Sequence, residues 1–180
     1  MLLIALALGS AIHVVNTSDE PPAVEISVSF LSRNAPMPVG FLTKPTTDKE
    51  GRYSLLGQLA TSATVDRLVA EHVAEEISRP RALVALGTMA TVMSYFGDVA
   101  GKKGFGYEAK VDRIAGLYNL DIKVGDPGDN GLAAGSKFHI LLAPGETVLI
   151  EPKRDICGVP MYVIAEVNAV HQTVEIITEH

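Results

Sequence analysis

The sequence predicts an α+β fold: a long spine helix and shorter helices packed on an antiparallel β-sheet, with an extended loop before the spine. Three observations carry this. Apolar residues recur at helical spacing through Ser54–Ile77. Val24, Ile26, Val28 and Phe30 alternate with Glu25, Ser27 and Ser29, the period of a half-buried strand. After Gly97, short apolar runs separated by glycine and proline turns suit strands joined by short antiparallel links.

In chain order, Met1–Ala11 reads MLLIALALGSA, an apolar stretch with no positive leader. It is shorter than the roughly 20 apolar residues that span a bilayer. It reads as a buried strand or short helix continuing to Val15. Asn16–Pro22 is a loop, and Ala23–Leu31 is the alternating strand. Arg33–Gly51 holds three prolines, two glycines and a polar run from Lys44 to Arg52, and reads as an exposed extended excursion.

The spine can be drawn in two registers. One continuous helix puts Leu55, Leu59, Ala63, Val69, Val73 and Ile77 on one stripe, with Asp66 in its middle. A helix starting after a Ser62 or Thr64 cap gives Val65, Leu68, Val69 and Val73, enclosing His72 and Glu76 four residues apart. Either register lays charge on an apolar face. Such charges are half-buried pairs at a core rim, or they fix register against another subunit, so Asp66, His72 and Glu76 are candidate inter-subunit contacts.

Pro80 stops that helix. Ala82–Leu86 is a continuous apolar run, read as a strand buried on both faces. Thr88 reads as an N-cap, and Met89, Val92, Met93 and Phe96 at i, i+3, i+4 and i+7 read as a second helix ending at Gly97. Gly101–Gly106 is a glycine-rich basic loop that matches neither standard phosphate-binding fingerprint. Tyr107–Val124 reads as two extended pieces, and Gly125–Gly135 as turns. Phe138–Leu142, Thr147–Glu151, Met161–Val167 and Val170–Thr178 read as strands. The chain is one α+β domain over 1–180, or two lobes divided near residue 80.

The 180 residues are 47% hydrophobic and 20% charged, with net charge −6 and no basic stripe. That is a globular composition and argues against direct nucleic-acid binding. The one cysteine, Cys157, cannot form an internal disulfide. As a nucleophile it would need a histidine, and His139 and His171 lie on neighbouring predicted strands. Its place at a strand end entering a turn reads instead as inert. None of the five histidines falls in a zinc-binding spacing. Asp126, Asp129 and Asn130 lack the calcium-loop spacing and read as a solvated turn. The residues nominate no catalytic group, metal or cofactor.

From Tyr53 onward, the order of features resembles the coat proteins of tailed bacteriophages. The long helix would be the family's spine. Pro80, Arg81, Ala82, Leu83 and Val84 resemble its P-x-x-L-V entry to a buried strand. Val111–Val124, with Ile114, Ala115 and Gly116, resembles its I-x-G segment, and SKFHILLAPGETVLIEPKRDI a following strand pair. The family's members are distinctly longer. The resemblance implies a capsid-like structural subunit of a virus particle, assembled in a host cytoplasm from copies of itself with other virion proteins. It implies no membrane and no sequence-specific nucleic acid. The competing expectation is a small α+β enzyme or ligand-binding protein with a pocket between helices and sheet, drawing on Asp66, His72, His139 and Gly101–Gly106.

Overall fold

The computed structural model describes residues 23–38, 41, 45–47, 49–58, 61–96 and 103–170. The expectations for Met1–Pro22, Gly97–Lys102 and the last strand beyond Val170 lie outside them.

Two antiparallel sheets pack face to face, and one ten-residue helix covers part of the outer face of the first. The first sheet runs β2 (Thr46–Thr47), β3 (Gly51–Leu55), β10 (Thr147–Pro152), β11 (Met161–Ala169), β1 (Ala23–Arg33). Beyond β1, β4 (Ala74–Ser78) and β5 (Arg81–Ala85) share its remaining edge. β5 takes Ala23–Ser27 and β4 takes Phe30–Arg33, with a register shift between Phe30 and Leu31. The second sheet is a meander from one continuous stretch: β6 (Met89–Phe96), β7 (Lys103–Ile114), β8 (Leu117–Gly128) and β9 (Gly131–Leu142).

Period-two sequence builds the core between the sheets. Val24, Ile26, Val28 and Phe30 of β1 face Phe105, Tyr107, Leu120, Ile122, Phe138 and Ile140, all buried. The Phe30 and Phe105 ring centroids lie 4.7 Å apart. The opposite face of the first sheet supplies Leu31, Leu149, Tyr162 and Ile164, and the helix α1 (Thr61–Ala70) seats Val65 and Leu68 on them. The first sheet is therefore apolar on both faces through β10 and β11, which read in sequence as unbroken apolar runs.

The long spine helix is absent. Ser54–Ile77 divides into the end of β3, α1, and most of β4. Two left-handed residues make the breaks: Gly57 at φ 73° before the helix and His72 at φ 57° after it. His72 N–H donates to Val69 O and Val73 N–H to Leu68 O, both at 3.0 Å, a Schellman cap with histidine where glycine is usual. The second register had the helix face nearly right, since Val65 and Leu68 are buried while Val69 is 39% exposed.

The expected second helix is also a strand. Met89–Phe96 pairs with Lys103–Phe105, Gly106 and on to Lys110 of β7 along its whole length. Helical spacing of four apolar residues there competed with alternation, and tertiary pairing decided it. Thr88 caps no helix; its N–H donates to Ala85 O in the turn between β5 and β6. β5 is an edge strand with alternating exposure, Leu83 being 61% exposed, and is not buried on both faces. Lys103–Gly106 belongs to β7, so the glycine-rich loop does not extend over those residues.

Candidate functional site

The residues nominated from sequence do not converge. Asp66 is exposed on α1, His72 is exposed in its C-terminal cap, and Glu76 lies on β4, where Arg79 Nε donates to it at 2.8 Å. The helical spacing that would have faced His72 to Glu76 is lost when the helix ends at Ala70. His139 stands on the outer face of β9 paired with Asp121 of β8, and its side chain is 63% exposed.

Cys157 occupies a two-residue turn with Gly158, both at positive φ, closed by reciprocal Ile156 and Val159 hydrogen bonds. Its Sγ packs on the Gly104 backbone, and its N–H donates to Asp126 Oδ1 at 2.6 Å. Burial pushes the thiol up, with Asp126 adding to the shift. That is the reverse of what activates a nucleophile. Asp126 is thereby a turn-fixing acceptor, and among the described residues no group of three or more His, Cys, Asp or Glu side chains could hold a metal ion. Nor, among them, is any helix long and apolar enough to cross a membrane.

Two surfaces stand out instead. The first is the outer edge of β6. Among the described residues, β6 is bonded only to β7. Its sequence, MATVMSYF, contains no charge, proline or glycine, and Met89 and Tyr95 are 56% and 52% exposed. The other terminal strands are blunted. β2 has two residues, β4 carries Glu75 and Glu76, β5 begins with Arg81, and β9 carries Lys137 and pairs across a register shift at Asp126/Pro127.

The second is a cleft of about 420 Å³ where β3 and β10 meet the turn after β10. Arg33, Arg52, Glu151, Lys153 and Asp155 line it. Glu151 is 7% exposed although charged, because odd-numbered residues of β10 face the same side as the buried Leu149. Arg52, its register partner on β3, donates Nε to Glu151 Oε2. That bond holds the guanidinium above its ordinary value. Tyr162 is pushed up by burial first and by the Glu151 carboxylate second, and its hydroxyl donates to Ala35 O at 2.9 Å. Arg33 lies over the Tyr162 ring, 5.9 Å from its centroid. Sequence reading missed this group because Arg52 and Glu151 are 99 residues apart in pattern-free positions; the one available signal was Glu151 ending an otherwise apolar strand.

A third hollow, about 650 Å³, opens between β3 and β9 and is lined by Tyr53, Leu55, His139, Leu141 and Glu146. It brings no set of reactive groups together. Compared with protein-family models, with curated proteins and with solved structures, the chain matches nothing.

Proposed function

We propose that this chain works by association with copies of itself, as a structural subunit, through the edge of β6 that no strand among the described residues covers. The observation that carries the reading is an eight-residue edge strand without a charge or a proline. Exposed strand edges present unpaired N–H and C=O groups to any neighbouring strand, and proteins ordinarily blunt them. Every other terminal strand described here is short, charged or irregular in register. A second copy of β6, antiparallel about a twofold axis, meets it with no like charges opposed. It would continue the four-stranded sheet into one of eight strands. Met89 and Tyr95 would then lose water from exposed apolar surface, at about 25 cal/mol per Å².

A subunit of a virus shell is a narrower form of the same reading. A closed shell requires a second contact besides a twofold one. Exposed Ile114, Leu117 and Leu141 offer apolar surface for it. Its support is the coat-protein resemblance in the strands after Val111, now without the spine helix.

The test is light scattering coupled to size-exclusion chromatography across a wide concentration range, with electron microscopy of any large species. The expected result is a concentration-dependent dimer or larger particle that Thr91→Lys dissociates without loss of strand signal in circular dichroism. A monomer throughout, or a dimer indifferent to Thr91→Lys and to Tyr95→Lys, overturns the reading. One observation favours a second reading, a ligand-binding protein: the buried Glu151 carboxylate in a charged cleft.

A further inference from the structure

The cleft at Glu151 has the features of a built site. Its carboxylate is buried, one oxygen is held by Arg52, and the other, Oε1, meets no hydrogen-bond donor among the described residues. A buried acceptor left without a donor is destabilising, and more so when charged. The cleft has room for a small ligand at about 420 Å³. Gly51 lets β3 approach β10 closely at the edge of the cleft, since a Cβ there would run into the Glu151 carbonyl and lie 2.9 Å from Lys153 N.

The charges around that oxygen do not cancel. Arg52 is committed to Glu151. Arg33 and Lys153 line the same cleft, and no carboxylate among the described residues pairs with either; the one further anion lining it is the exposed Asp155. Their backbones are pinned: Arg33 N–H donates to Pro160 O at 2.9 Å, and Lys153 N–H to Glu50 O at 2.8 Å. Two exposed cations and a buried acceptor without a donor among the described residues line one cleft. Arg33 presents a planar fork suited to a carboxylate, and Lys153 a point charge.

We propose that this cleft binds a small dicarboxylate carrying a hydroxyl or amino group, with its carboxylates on Arg33 and Lys153 and its donor on Glu151 Oε1. A simple inorganic anion would satisfy the cations and leave Glu151 as it is. A ligand that is only a cation would answer Glu151 and be repelled by Arg33 and Lys153. The substituted dicarboxylate answers all three groups.

The test uses three probes with the same carbon skeleton, titrated calorimetrically at low salt: succinate, L-malate and L-aspartate. Malate and aspartate are expected to bind about tenfold or more tighter than succinate, the worth of one hydrogen bond to a charged group. Arg33→Gln and Lys153→Gln, at exposed positions, are expected to weaken all three probes about tenfold each. Glu151→Gln is expected to shrink the preference over succinate. If that variant unfolds, the two surface variants carry the test alone. No heat with any probe, equal binding of succinate, or unchanged binding in both surface variants overturns the proposal.

Discussion

Gly125 of β8 and Gly135 of β9 sit opposite one another so closely that a Cβ on Gly125 would lie 2.5 Å from the Gly135 Cα. Gly106 of β7 completes the row, and there Leu132 Cδ2 would stand 3.2 Å from an added Cβ. Leu132 lies over this row, on the side of β7 away from the buried Phe105 and Tyr107. Leu132 N–H donates to Glu108 at 2.7 Å, and Lys123 Nζ donates to Leu132 O at 2.7 Å. Gly125→Ala should therefore cost about 1–3 kcal/mol or more by overpacking, since backbone cannot step aside. Gly145→Ala, where nothing lies within 4 Å, should cost less, from its φ of 73° alone. Urea denaturation of the two variants measures the difference.

His72 occupies the left-handed position of the α1 cap at φ 57°. A residue with a Cβ costs roughly 1 kcal/mol there relative to glycine. His72→Gly should hold stability or raise it by up to about that amount. A loss above that size would show that the imidazole holds α1 in place. Thermal unfolding of the variant decides it.

Tyr107 is fully buried, its hydroxyl 3.5 Å from Ile26 O, and burial raises its ionisation far above the usual phenol. The native state keeps this proton after the unfolded chain has lost it. The native state thus binds more protons, and stability falls as pH rises. The contribution is whole below the ordinary phenol value of 10.0 and is lost above it. Tyr107→Phe should flatten the alkaline arm of a stability–pH curve and cost at most about 1 kcal/mol at neutral pH, since so long a hydrogen bond contributes little.

Cys157 should alkylate more slowly with iodoacetamide at neutral pH than a small free thiol, because burial disfavours its thiolate. Cys157→Ala should leave association and probe binding unchanged. Loss of either would give the thiol a role that its contacts with Gly104 do not supply.

The strands of the core were legible where one face meets water or where apolar runs are short. Leu120–Val124 alternates in sequence as it does in burial, while Val24–Phe30 alternates in sequence although Ser27 and Ser29 are buried as well. Ser54–Ile77 was not legible because its breaks are made by a left-handed histidine and by strand pairing between Glu75, Glu76 and β1, neither of which changes the apolar spacing. Glu75 and Glu76 are good helix formers placed in a strand by a distant partner. Gly57, inside the presumed spine, was the local sign of a stop. The sites were less legible still. Arg33, Arg52, Glu151 and Lys153 meet only after β1, β3 and β10 have assembled, and an open strand edge is a property of topology that no single stretch records.

The second sheet is one unbroken run from Met89 to Leu142, whereas β1 must find β11 at the far end of the described chain. Hairpins close early, and distant pairings wait for the loop entropy between them to be overcome. Pulse-labelled hydrogen exchange during refolding should protect Leu120 and Ile122 before Val28; the reverse order would refute this. On the ribosome, the same arrangement means that the meander is complete while the central strand of the first sheet still lacks β11. Until β11 emerges, the edge of β1 that it will pair with stands open, and the nascent chain has its greatest need of a chaperone then.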